Sequence, residues 1–176
     1  QVYSYATATH AQAIKVPLLP DYRLDMPGII AATKNNYRDV GLVYICNPNN
    51  PTGQVVTRSE IAQLLEGIPA DVPVLIDEAY HHFVNTPDYE TSIPYVLEGR
   101  PVIVARTFSK IAGLAAMRLG YAVAPAAIIQ QMRPFSMGSI NVLVKHGGVA
   151  SIQDTAAQAD VKSKIIALRT KTASEL

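Results

Sequence analysis

The sequence predicts an α/β fold: three αβα layers around a mostly parallel sheet with one antiparallel strand. Two patterns and one spacing carry that expectation. Short apolar runs at Gly41–Cys46, Val72–Ile76 and Val102–Ala105 read as buried strands. Segments with helical period and cap signals separate them, which argues strands in parallel with helices on both faces. Lys110 to Arg118 is too short for a parallel crossover helix, so the run Leu119–Ala124, closed by Pro125, is expected antiparallel to the strand before it.

Composition fits this class. A chain of 176 residues can bury one sizeable core. With 49% hydrophobic and 16% charged residues, it suits a well-buried domain better than a disordered one. The net charge of +1 implies no strong field, so neither nucleic acid nor membrane is expected as a partner. The single cysteine, Cys46, excludes an internal disulfide and fits a reducing, cytoplasmic compartment. No apolar run approaches membrane-spanning length, and no signal peptide, repeat or low-complexity linker is evident. Gln1 is not an initiator methionine, and the helical pattern from Val161 stops at Leu176, so a fragment of a longer protein is expected.

In chain order, residues 1–12 read as a loop entering a helix. Ala13–Leu19 reads as a short strand near an edge, with Pro17 inside it. Asp21–Asp25 forms a turn, and Asp25 caps a helix with Pro27 in its first turn, reaching about Asn36. The strand ending at Cys46 runs into Asn47-Pro48-Asn49-Asn50-Pro51-Thr52-Gly53, a loop by composition. Thr57-Arg58-Ser59-Glu60 fits a capping box, with Ile61, Leu64 and Leu65 as the buried stripe of a helix ended by Gly67. The strand after it ends in Asp77-Glu78-Ala79-Tyr80. Residues 85–99 read as surface connection. Helices are expected near 126–133 and over Ser139–Ile152, although Gly147-Gly148 weakens the second. In the last helix, Val161, Ile165 and Leu168 mark one face and read as ordinary core.

Three polar clusters then fall at strand ends: Asn50, Asp77 with Tyr80, and Thr107-Phe108-Ser109-Lys110 with Arg118 beyond. In a parallel sheet those ends share one edge, where open α/β sheets bind ligands. A lysine held there partly out of water can lose its proton and attack a carbonyl. A carboxylate ending a buried strand needs a cation. Hydroxyls with an arginine suit a phosphate. A molecule with an aldehyde, a basic ring nitrogen, an ionised phenol oxygen and a phosphate satisfies all of them, and pyridoxal phosphate is one.

The motifs Asn47-Pro48-Asn49-Asn50-Pro51-Thr52-Gly53, Asp77-Glu78-Ala79-Tyr80 and Thr107-Phe108-Ser109-Lys110 with Arg118 resemble, in order and spacing, the signature of the class I/II aminotransferases, fold type I of the pyridoxal-phosphate enzymes. With Phe83 they are most similar to the histidinol-phosphate aminotransferase branch. The resemblance covers about residues 10–160 and implies that residues 1–176 form a partial large domain, lacking an N-terminal segment and a C-terminal small domain. It implies that Lys110 is the imine lysine and proton shuttle and that Asp77 pairs with the pyridinium nitrogen. Asn50 and Tyr80 would hold the phenolic oxygen, and Thr107, Ser109 and Arg118 the phosphate. Tyr3 or Tyr5 is the candidate ring-stacking aromatic. It further implies a homodimeric parent that takes an amino donor and a 2-oxo acid acceptor.

Other readings stand beside this one. The same fold supports β-elimination or decarboxylation. A non-catalytic cofactor-binding sensor domain of a transcription regulator, or an inactive remnant, would share these motifs. Asp77-Glu78 also resembles the metal-binding end of a nucleotide hydrolase, but no Gly-x-x-x-x-Gly-Lys-Ser/Thr loop is present. Asn50 and Gly53 could merely shape a turn, and Tyr80 could be a core tyrosine. His81-His82 suggests metal only weakly, since adjacent histidines on a strand or loop are expected to point apart with no cysteine or carboxylate cluster joining them.

Overall fold

A computed structural model describes residues 2–136 and 138–176. Among the described residues the α-helices and strands are α1 (Val2–Ala8), α2 (Met26–Asn35), β1 (Val43–Cys46), α3 (Arg58–Gly67), β2 (Val74–Asp77), α4 (Ile93–Leu97), β3 (Val102–Thr107), β4 (Gly120–Val123), α5 (Ala126–Met132), α6 (Val142–Gln153) and α7 (Thr155–Glu175). The strands make one sheet in the order β1-β2-β3-β4. The first three are parallel, and β4 runs antiparallel to β3, as the short interval after Lys110 requires.

Alternation along the strands sets the core. Val43 and Ile45, Val74 and Ile76, and Val102 and Val104 share one face, and all are buried. They pack with Ile61, Leu64 and Leu65 of α3, Met26 at the start of α2 and Val96 of α4 in one cluster. Full burial of each aliphatic side chain contributes roughly 1.5–3 kcal/mol. The opposite face carries Tyr44, Cys46, Leu75 and Asp77, none of them buried. The deep face therefore anchors the sheet, while on the other face Ile103 of β3 is the buried strand residue.

The caps form as their residues dictate. Asp25 Oδ1 accepts from Gly28 N at 2.9 Å, with Pro27 in the first turn. Thr57 and Glu60 close a reciprocal capping box, Thr57 N donating to Glu60 Oε2 at 2.8 Å and Glu60 N to Thr57 Oγ1 at 3.2 Å.

Several expectations are corrected. Residues 2–8 are helical rather than a loop, while Gln1 lies outside the described residues. Ala13–Leu19 is no strand: no described strand lies alongside it, and Pro17 offers no ladder donor. Residues 85–99 are not all surface, because Ser92 and Val96 are buried and α4 lies over β3. The reason is Glu78, which draws donors from this segment into the interior. The stripe on α7 is not core: Ile165 is 42% and Leu168 59% exposed. α7 packs against the short 3-10 turn His81–Phe83 rather than across the sheet.

Candidate active site

The register places the three polar clusters together. Cys46, Asp77 and Ala105 stand side by side across β1, β2 and β3, so the loops that follow these strands leave from one edge. Each backbone continues the ladder one residue further, Asn47 N donating to Asp77 O and Glu78 N to Ala105 O, both at 2.9 Å. This fixes the loop roots.

The loop after β1 is closed by a residue the motif reading did not single out. Asn47 is fully buried. Its amide accepts from Val56 N at 2.9 Å and donates to Val56 O at 2.9 Å. One side chain thus stands in for a strand partner and pins both ends of the loop bearing Asn50. The signal available in the sequence was an asparagine directly after a buried strand, where its amide must find partners. Within the loop, Asn49 Nδ2 donates to Thr52 Oγ1 at 2.7 Å, and Gly53 adopts φ 71°, open to glycine at no steric cost. Asn50 itself is exposed, and its Nδ2 donates to the Tyr80 hydroxyl at 3.1 Å.

Asp77 is half-buried. Its Oδ1 accepts from Ala79 N at 3.0 Å and its Oδ2 from the Tyr44 hydroxyl at 3.2 Å. Among the described residues no lysine or arginine pairs with it, since the ion pairs formed lie elsewhere. The neighbouring acid, Glu78, points the other way, as alternation demands. Glu78 is fully buried and takes Arg106 Nη2 at 2.8 Å, Ser92 N at 2.6 Å and Thr91 Oγ1 at 2.9 Å.

Lys110 Nζ lies 5.0 Å from the centroid of the Tyr80 ring. Asn50, Tyr80 and Lys110 are therefore one group, with Asp77 three residues before Tyr80 on the same turn. Lys110 is exposed, so the expected partial withdrawal from water is not realised within this chain: only Phe108 and Ile111 bury their side chains in the turn that carries it. Thr107 Oγ1 accepts from Ser109 N at 3.0 Å, a tight turn that presents both hydroxyl residues at the end of β3. Arg118 is not brought onto them. It holds a left-handed backbone, φ 52°, and its Nη1 donates to Ala115 O at 2.9 Å, folding the guanidinium back onto its own turn. Tyr3 and Tyr5 are exposed on α1, and Tyr3 faces Lys15 rather than this group.

The adjacent histidines do not point apart. They sit on the 3-10 turn after Tyr80, where residues follow at a helical angle, and their ring centroids are 3.7 Å apart at a tilt of 43°. Burial, then Arg106, His82 and Lys162, hold the His81 imidazole well below its ordinary 6.5, at about 3. Burial and the same two cations also lower His82. Both rings are thus held toward the neutral form. Among the described residues no group of three or more metal-ligating side chains forms. A cavity of about 480 Å³ opens beside the cluster, lined by Asn50, Pro51, Tyr80, Phe83, Asn85 and Arg169. Asp77, Thr107 and Lys110 lie outside its lining.

Comparison with known proteins gives four findings. The family model for aminotransferase class I and II matches residues 1–175. A histidinol-phosphate aminotransferase of Maricaulis maris (strain MCS10) is 43% identical over 138 residues, 76% of this chain and 36% of that protein. An aromatic amino acid aminotransferase of Rhodococcus jostii (strain RHA1) is 39% identical over 144 residues, 81% of this chain and 38% of that protein. The crystal structure of histidinol-phosphate aminotransferase from Sinorhizobium meliloti in complex with pyridoxal-5'-phosphate superposes with a TM-score of 0.84 at 29% identity, over 97% of this chain and 46% of that one. The chain spans less than half the length of these relatives.

Proposed function

The chain belongs to the class I and II aminotransferases, and from that premise we propose that the protein carrying it moves an amino group from an amino acid or amino-phosphate to a 2-oxo acid, with pyridoxal phosphate as cofactor. The observation that carries this reading is the convergence of Asn50, Tyr80 and Lys110, with Asp77 three residues before Tyr80 in the chain and without a fixed cation among the described residues. A half-buried carboxylate with an open lone pair suits a protonated ring nitrogen. When bound, the cofactor supplies an electron sink for the substrate's α-carbon.

The residues divide the work by their chemistry. Asp77 would hold the ring nitrogen in its charged form. Asn50 and Tyr80, already bonded to each other, would present a donor pair to the phenolic oxygen. Lys110 would anchor the aldehyde carbon and carry a proton at Nζ. Thr107 and Ser109 would present hydroxyls to the phosphate, and Arg118 would complete that site by turning away from Ala115 O. The chain is read as part of the large, cofactor-binding domain of a longer protein, a reading supported by the share of its relatives that it covers, and that protein is expected to be a cytoplasmic homodimer. No helix among the described residues is long and apolar enough to cross a membrane.

The test uses the full-length protein. Added pyridoxal phosphate should give a visible absorption band that Lys110→Ala abolishes. Amino donors with 2-oxoglutarate should yield glutamate. Ammonia or pyruvate released without an acceptor would favour elimination instead, and an unchanged spectrum on adding the cofactor would refute the assignment.

A further inference from the structure

We propose that Tyr44 is a positioning residue for Asp77: its hydroxyl fixes the direction in which that carboxylate faces a cationic ring nitrogen. This rests on the function proposed above and adds to it a residue outside the family motifs on which that reading was built.

Strand geometry makes the contact. Tyr44 pairs with Leu75 and Cys46 with Asp77, so Tyr44 and Asp77 are diagonal neighbours on one face of adjacent parallel strands. A tyrosine is long enough to span that diagonal, and its hydroxyl reaches Asp77 Oδ2 at 3.2 Å. The other oxygen, Oδ1, is taken by Ala79 N at 3.0 Å. A carboxylate rotates freely about its last bond unless both oxygens are held. Here one donor comes from its own turn and the other from the next strand, so the plane of the group is set. A carboxylate offers about four lone-pair sites, and these two donors leave room for a third.

Tyr44 suits a permanent donor. Burial, then Cys46 and Asp77, push its phenol above its ordinary range, so it keeps its proton at any working pH. It also sits at the open face of the sheet, where its ring buries too little to be explained as core. Glu78 plays no part here, because its partners lie on the opposite face.

The experiment is a double-mutant cycle in the full-length protein, with Tyr44→Phe, Asp77→Asn and both together. The readouts are the dissociation constant for pyridoxal phosphate and the pH midpoint of its visible band, neither of which is turnover. Tyr44→Phe should weaken binding roughly tenfold, within the range for a hydrogen bond to a charged acceptor, and shift the midpoint. In the Asp77→Asn background the same change should alter both readouts by less than about twofold, because there is no carboxylate left to orient. A packing role would instead give the same factor in both backgrounds, and that result, or a Tyr44→Phe protein matching wild type, overturns the inference alone. A wild-type protein that binds no pyridoxal phosphate overturns the proposed function and this inference with it.

Discussion

Replacing Glu78 with alanine should be among the most damaging single changes in this domain. The Glu78 side chain is 0% and that of Arg106 13% exposed, and they meet at 2.8 Å. Removing the carboxylate strands the Arg106 guanidinium in a half-buried position and also leaves Ser92 N and Thr91 Oγ1 without their acceptor. Breaking one side of a buried pair costs about 3–5 kcal/mol, a large part of the 5–15 kcal/mol that holds a typical domain together. In a domain of this length each kcal/mol moves the midpoint by about 2–4 °C, and proportionally less in a longer protein, so a loss of several degrees is expected. Thermal scans of the full-length protein, followed by far-UV circular dichroism, measure it. The double change Glu78→Leu with Arg106→Met should cost less than Glu78→Ala, since it leaves no unpaired charge. A Glu78→Ala loss below about 1 kcal/mol, or a double variant worse than the single, would refute the view that charge pairing governs this site.

Two further outcomes follow from single side chains. Asn47→Ala removes both bonds to Val56 and leaves a buried N–H and C=O unpaired, so a loss of about 2–4 kcal/mol in urea unfolding and faster proteolysis between residues 48 and 56 are expected; resistance equal to wild type would refute the clamp. His81, held at about 3 in the fold against 6.5 when unfolded, takes a proton more readily in the unfolded chain. Its contribution is therefore complete above about pH 6.5 and declines as pH falls toward 3, so the urea midpoint should drop between pH 7 and 5.5, less steeply in His81→Gln, and parallel profiles would contradict it.

The legible parts of the fold were those in which local chemistry has one solution. Asp25 before Met26-Pro27 and Thr57 before Glu60 can satisfy helix N–H groups only as caps, and both do so. The antiparallel β4 followed from chain length alone. What failed depended on distant partners. Ala13–Leu19 has strand-like residues but no described neighbour to pair with. Thr91 and Ser92 look like surface polar residues until Glu78 requires their donors. The stripe Val161, Ile165 and Leu168 has helical period, but period says which residues share a face and not whether anything lies opposite. At the site, motif order brought out Asn50, Asp77, Tyr80 and Lys110. It said nothing of Asn47, Tyr44 or the direction in which Arg118 turns, because these depend on side-chain rotamers across strands.

The pairing of adjacent acids at the end of β2 explains why a charged site can sit on so apolar a sheet. Asp77 and Glu78 are consecutive, so they face opposite sides, and Arg106 and Thr107 repeat the arrangement one strand over. On the deep face Arg106 is committed to Glu78 by two bonds, from Nε and Nη2. It therefore faces away from Asp77, which lies on the other side of the sheet. The buried pair thus keeps both of its charges on the deep face, while the carboxylate on the other face has no fixed cation among the described residues.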